Sequence, residues 1–173
     1  TLIKDEGNYI FKVLPFTSYF NRKTWNVDAA NNTTYNPIDK KLTIKDLVFF
    51  KDNQKLKINT IQNPEYKNLV SIDFEDILLN ELISGFLPNL KGNYGTLEGN
   101  LAINNFIDNP SPIANIQVKD LILENTKMGE VKIVSKSEDD KIITDLNLNG
   151  DNVSLNIVAD YFPNSKVDSF NAH

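Results

Sequence analysis

Along most of its length the chain alternates apolar and polar side chains with a period of two. That pattern places one set on one face of an extended strand and the other set opposite. Tyr9, Phe11 and Val13 show it, as do Leu56 and Ile58, and then Val70, Ile72 and Phe74. It returns at Leu97, Gly99, Leu101 and Ile103, at Val131 and Ile133, and at Ile142, Thr144, Leu146 and Leu148. Val153, Leu155, Ile157 and Ala159 close the series. Between these runs lie Lys51-Asp52-Asn53, Asp108-Asn109-Pro110-Ser111-Pro112, Glu138-Asp139-Asp140 and Asn149-Gly150-Asp151-Asn152, all turn compositions. About ten strands joined mostly by short turns follow, hence antiparallel pairing. The 25 Asn residues point the same way, because Asn favours turns over helix interiors.

One segment departs from the alternation. From Asp76 to Leu87, the residues Leu78, Leu79, Leu82, Ile83, Phe86 and Leu87 recur at three- and four-residue spacing. The spacing predicts a short helix with Asp73 or Asp76 as N-cap and Gly85 near its end.

Leu42-Thr43-Ile44-Lys45-Asp46-Leu47-Val48-Phe49 aligns without gaps to Ile116-Gln117-Val118-Lys119-Asp120-Leu121-Ile122-Leu123. Both copies slip phase at the same place: Leu42 and Ile44 share one parity, Leu47 and Phe49 the other. A β-bulge at the Lys-Asp step returns all four to one face, with a local kink and stronger twist. A polar turn and another alternating strand follow each copy, which suggests growth by stacked hairpin units. The expected fold is therefore all-β, a curled antiparallel sheet of stacked hairpin repeats with one short helix near residues 76–87. Residues 24–90 form a first module containing the helix and 91–173 a second; residues 1–23 read as a linker or the end of a preceding module.

Four stretches carry a family resemblance. They are Thr24-Trp25-Asn26-Val27-Asp28-Ala29-Ala30-Asn31-Asn32, the repeat at 42–49, the run from Ile72 to Leu82, and above all Leu90 to Phe106 followed by Asn109-Pro110 and Ile116-Gln117-Val118. Gly92, Gly95, Gly99, Pro110 and Gly129 punctuate the strands. In this order they resemble the TamB family of the translocation and assembly module, large envelope proteins similar to the AsmA-like bridge proteins of diderm bacteria. The resemblance runs from about Trp25 to Phe162. It departs from the family at Asn105, after the strand Leu101 to Asn104, where relatives often carry Gly to make a tight turn.

The resemblance implies a long periplasmic folded sheet with an apolar inner groove and an inner-membrane anchor outside this segment. It also implies a C-terminal end that meets an outer-membrane insertase-type protein, and roles in inter-membrane phospholipid transport, protein secretion and outer-membrane protein assembly. No catalytic motif, cofactor or metal comes with it, so no enzymatic activity is expected. The chain starts at Thr1 without Met or a leader and is expected to be a segment of a longer protein.

Independently of that resemblance, a sheet with one apolar face must bury it on a second sheet, on helices or on an apolar ligand. If the sheet curls without closing, the groove can hold acyl chains at roughly 25 cal/mol per Å² of apolar surface buried. The candidate groove residues are Leu101, Ile103, Ile116, Val118, Leu121, Leu123, Leu146, Leu148, Leu155 and Ile157. Alternation fits a closed sandwich core equally well, and the alternative function is an extracellular β-sandwich module, carbohydrate-binding or adhesin-like. Trp25 with Tyr19, Phe20 and Tyr35 would be its aromatic platform, or else an anchor of the first strands in the core.

Other chemistry finds little support. A net charge of −5 and a pI near 4.9 argue against nucleic acid, whose affinity for proteins comes mainly from basic side chains. With no Cys and one His, at position 173, thiolate nucleophiles, Cys-ligated zinc and His triads all drop out. The lack of Cys fits a reducing cytosol and a thiol-poor envelope alike. Asp73, Glu75 and Asp76 would be a carboxylate pair for glycoside hydrolysis or, more simply, helix-start acids. Asp139-Asp140 and Asn149 to Asn152 lack calcium-loop spacing and read as solvated turns. Gly92, Gly95 and Gly99 precede a strand, so they form no phosphate loop. No run is apolar for the roughly 18 residues of a spanning helix.

Overall fold

A computed structural model describes residues 1–5, 7–20, 23–63, 66–83, 94–107, 110–138, 141–162 and 169–172. Among them are fifteen strands and one short helix. The strands of the first half are β1 (Leu2–Asp5), β2 (Asn8–Phe11), β3 (Thr17–Phe20), β4 (Lys23–Val27), β5 (Asn32–Asn36), β6 (Lys41–Lys45), β7 (Leu47–Lys51), β8 (Gln54–Asn63) and β9 (Tyr66–Leu78). After α1 (Leu79–Ile83) come β10 (Tyr94–Asn104), β11 (Ser111–Leu123), β12 (Thr126–Glu138), β13 (Lys141–Asn149), β14 (Ser154–Phe162) and β15 (Ser169–Ala172). The extra strands relative to the sequence expectation include the four-residue pieces β1, β3 and β15, too short for alternation to mark.

Every described pairing is antiparallel. Eleven strands form one sheet in the order β15-β14-β13-β12-β11-β10-β9-β8-β7-β4-β3, and β1-β2-β5-β6 form a second. From β7 to β15 the large sheet is a meander, as expected for hairpin-built growth. Residues 84–93, including Gly85, Phe86, Leu87 and Gly92, lie outside the described residues. On either side of them, β9 and β10 pair directly, so the segments on the two sides of the expected module boundary share one sheet. Residues before 24 enter both sheets, β1 and β2 the small one and β3 the large one.

The repeat bends where its phase slips. Asp46 has φ 52° and Asp120 φ 50°, the left-handed region that Asp tolerates better than most non-Gly residues. At Asp46 the chain leaves the small sheet as β6 and enters the large one as β7. At Asp120 the register of β11 against β12 shifts between Val118 and Leu121, a bulge within one sheet.

A third copy, hidden in the sequence, runs from Ile72 through Asp73-Phe74-Glu75-Asp76-Ile77-Leu78 to Leu79. Its Asp76 has φ 51°, and the β9–β10 register shifts there, with Ile77 opposite Leu97 and Phe74 opposite Gly99. This corrects the start of the helix. Residues 76–78 complete β9, the helix begins at Leu79, and neither Asp73 nor Asp76 caps it. Leucines at three- and four-residue spacing gave the helical signal, but β8 and β10 pair with β9 almost to its end and hold it extended.

The left-handed positions are mostly Asx residues, among them Asn68 and Asn105. Asn105, with φ 50°, makes the turn after β10, because a short amide side chain tolerates that conformation. Gly99 has a stricter reason to be glycine: a Cβ there would stand 2.2 Å from the Asn115 carbonyl oxygen.

The small sheet is fastened to the large one by side chains. β5 takes one edge of β6, and on the other edge the N–H groups of Leu42, Ile44 and Asp46 donate to Asn68 Oδ1 (2.9 Å), Thr60 Oγ1 (3.0 Å) and Asn59 Oδ1 (2.8 Å). An edge that would otherwise invite another strand is thereby satisfied. Asn31, 1% exposed, does the same for the chain before β3. Its Oδ1 accepts from Val13 N–H and its Nδ2 donates to the carbonyls of Val13 and Asp28.

Candidate functional site

Strand register determines which residues share a face, since directly paired residues point the same way. One ladder runs Val27-Phe49-Leu56-Phe74-Gly99-Ile116-Ile133-Leu146-Ile157 across nine strands. Beside it runs Leu47-Ile58-Ile72-Leu101-Ala114-Ser135-Thr144-Ala159-Ala172. Neither row contains a charged residue. On the far side of the first ladder, Ile77-Leu97-Val118-Val131-Leu148-Leu155 forms a third row. At about 4.8 Å per strand, nine strands make a row about 38 Å long.

The opposite face is more polar, although Leu69, Ala102, Ile113, Val134, Ile143 and Val158 also fall on it. Lys57, Asp73, Asn100, Asn115 and Asp145 fall in one of its rows, interrupted by Val134. Asn100 Nδ2 donates to Ser71 Oγ at 2.6 Å and to Asp73 Oδ1 at 2.7 Å. Lys55 pairs with Glu75 at 3.2 Å and Lys119 with Glu98 at 2.5 Å. The hydrogen bond to Glu98 raises the Lys119 pKa above its ordinary value. Asp73 and Glu75 are thus engaged with Asn100 and Lys55, while Asp76 forms the bulge.

Seven of the ten candidate groove residues fall in these apolar rows. Ile103 extends them between Val70 and Pro112, and Leu121 stands opposite Gly129 beyond the bulge. Leu123 packs against the cluster to which Leu121 belongs. Val118, Leu121 and Leu148 are buried; Leu101, Ile103, Ile116, Leu123, Leu146 and Ile157 are half-buried; Leu155 is 45% exposed. The described protein therefore covers this face only in part.

Cover is concentrated along one rim. Ile77, 2% exposed, forms a buried cluster with Leu97, Val118 and Leu121, against which Trp25, Phe74, Leu79, Leu82, Ile116, Leu123, Met128 and Val131 pack. Trp25 on β4 reaches a cluster seated on β9, β10 and β11, although β7 and β8 lie between, so the sheet curls. Among the described residues no acceptor meets the buried Nε1 of Trp25. Tyr35 lies in the other sheet between Tyr9 and Leu42, and Tyr19 and Phe20 are described only through their backbone pairing to β4.

Sequence reasoning did not single out the ionic cluster at this rim. Lys51 Nζ donates to both carboxylate oxygens of Glu81, at 2.7 and 2.6 Å, and Gln54 Nε2 donates to the same group at 3.3 Å. Gln54 Oε1 accepts from Leu78 N–H at 2.8 Å. Glu81 is 7% exposed and Gln54 4%. Burial pushes the Glu81 carboxyl up, but the hydrogen bonds from Lys51 and Gln54 and the charges of Lys51 and Lys23 outweigh it and hold the pKa below its ordinary value. The only advance signal was a polar Glu within the leucine-rich segment.

A shallow polar depression lies where the Asp120 bulge meets the β13–β14 turn, lined by residues that include Lys119, Lys127, Glu130 and Asp151. Its two lysines counter the acids, and no group of three or more His, Cys, Asp or Glu able to hold a metal occurs among the described residues. Asp108, Asn109, Asp139, Asp140 and His173 lie outside them. No described helix is long and apolar enough to cross a membrane. No protein-family profile matches the chain, and no significant match to it is found among the curated proteins or the solved structures.

Proposed function

We propose that this chain is a periplasmic stretch of a TamB-like envelope protein whose curled sheet shields phospholipid acyl chains between the membranes. In this reading it supports outer-membrane protein assembly as part of a longer, inner-membrane-anchored protein that meets an insertase-type partner, and it performs no catalysis. The observation that carries the proposal is the pair of uncharged nine-strand ladders, most of whose large apolar residues are half-buried rather than buried. An ordinary sandwich core would bury them on a second sheet, whereas an acyl chain can cover them without a protein partner.

Dimensions and chemistry support the same occupant. An acyl chain fills one leaflet, half of a hydrocarbon core about 30 Å thick, and a row about 38 Å long accommodates it. The two ladders carry no charge that an acyl chain would have to desolvate.

Binding of a fluorescent fatty acid tests the proposal. Ile157→Asp places a charge on the apolar face and is expected to abolish binding, whereas Asn156→Asp on the opposite face is expected to leave it intact. Equal loss in both variants, or no binding by the folded wild type, would overturn the groove.

A further inference from the structure

The Lys51–Glu81 pair sits where apolar packing alone would hold α1. Leu79 and Leu82 already pack on the buried cluster, and burying two charges carries a desolvation penalty that often cancels their attraction. A buried pair with these hydrogen bonds ties α1 to one defined position. Lys51 has a second carboxylate within reach: Asp52 Oδ2 lies 3.9 Å from its Nζ, on a side chain that is 82% exposed.

We propose that α1 is a strap over the rim of the groove, latched by Lys51, and that Lys51 changes partner from Glu81 to Asp52 when the strap lifts. The latch joins three places in the sheet. Lys51 ends β7, Gln54 opens β8 and holds the last N–H of β9, and Glu81 brings α1 to both. Lifting α1 withdraws Leu79 and Leu82 from the cluster at Ile77 and Leu97 and uncovers that rim. In the open state Lys51 keeps a carboxylate partner in water, and Glu81 is solvated. Admission of a lipid chain as the purpose of this motion rests on the groove reading; the motion itself does not.

The chain has no cysteine, so single thiols report opening directly. Leu97→Cys lies under the strap, and Leu148→Cys, equally buried at 7%, lies away from it on β13. Thiol labelling is measured in lipid-free protein, which separates failure of the strap from failure of acyl-chain binding. Glu81→Gln is expected to speed labelling at Leu97→Cys by about tenfold or more, since it removes the charged partner of a buried pair. Asp52→Asn is expected to slow it by about threefold, because it removes the partner of the open state. Neither variant is expected to change labelling at Leu148→Cys. Unchanged rates at Leu97→Cys, faster labelling with Asp52→Asn, or an equal rise at both thiols would overturn the strap.

Discussion

Asp76 and Asp120 flank β10 on either side, one in β9 and one in β11, and hold the same left-handed backbone angle, φ 51° and 50°. Each marks a register shift, and with Asp46 they set three bends in strands that run in the same direction. If the bends curl the sheet, the residue at each must tolerate positive φ. Asp120→Gly is expected to stay within about 1 kcal/mol of wild type, since glycine adopts this region freely. Asp120→Val is expected to lose about 1–3 kcal/mol, the usual cost of a residue held in a disfavoured region. Urea unfolding of the two variants measures the difference.

Gly99 faces a tighter constraint. It interrupts the first apolar ladder because the Asn115 carbonyl occupies the space of a side chain, and its φ of 121° is strained for any L-residue. Gly99→Ala is expected to destabilise by more than about 2 kcal/mol, combining backbone strain with displacement of β11. Equal stability of this variant in denaturant titration would contradict the close approach of β10 and β11.

Asn31 binds the segment before β3 to the turn after β4. Asn31→Ala leaves the Val13 N–H and the carbonyls of Val13 and Asp28 without this partner. The expected loss is about 2–3 kcal/mol, by the cost of unmet buried polar groups. Amide exchange at Val13 is expected to accelerate along with it.

Acid acts on the strap through Glu81. Its native pKa lies below the ordinary 4.5, so protonation is easier in the unfolded chain. The stabilisation is therefore complete above about pH 5, declines as pH falls through 4.5 and is gone below the lowered native pKa. Unfolding titrations of wild type and Glu81→Gln across this range are expected to converge at low pH. A stability difference that stays constant would contradict the pairing.

Much of this arrangement was legible in the residues. Period-two alternation gave the strands and their shared apolar face, and the matching phase slip marked two bends, which prove to be a bulge at Asp120 and, in place of the expected bulge, a crossing between sheets at Asp46. The third copy escaped because Leu78, Leu79 and Leu82 also satisfy helical spacing, and only pairing of β9 to its neighbours decides between the two periods. Division into two sheets was not legible either, since a bulge within a sheet and a crossing between sheets leave the same phase slip. The Lys51–Glu81 latch was hidden because its partners are 30 positions apart and follow no motif.

We propose that the half-buried apolar face is an open groove filled by lipid. Mass spectrometry of phospholipid extracted from the gently purified chain, counted per protein, tests it most directly, with Leu155→Asp and Ile157→Asp in parallel. The account predicts near-stoichiometric phospholipid in the wild type and its loss in both variants, with circular dichroism unchanged. A stable, monomeric wild type free of lipid would contradict the groove and favour a self-contained sandwich.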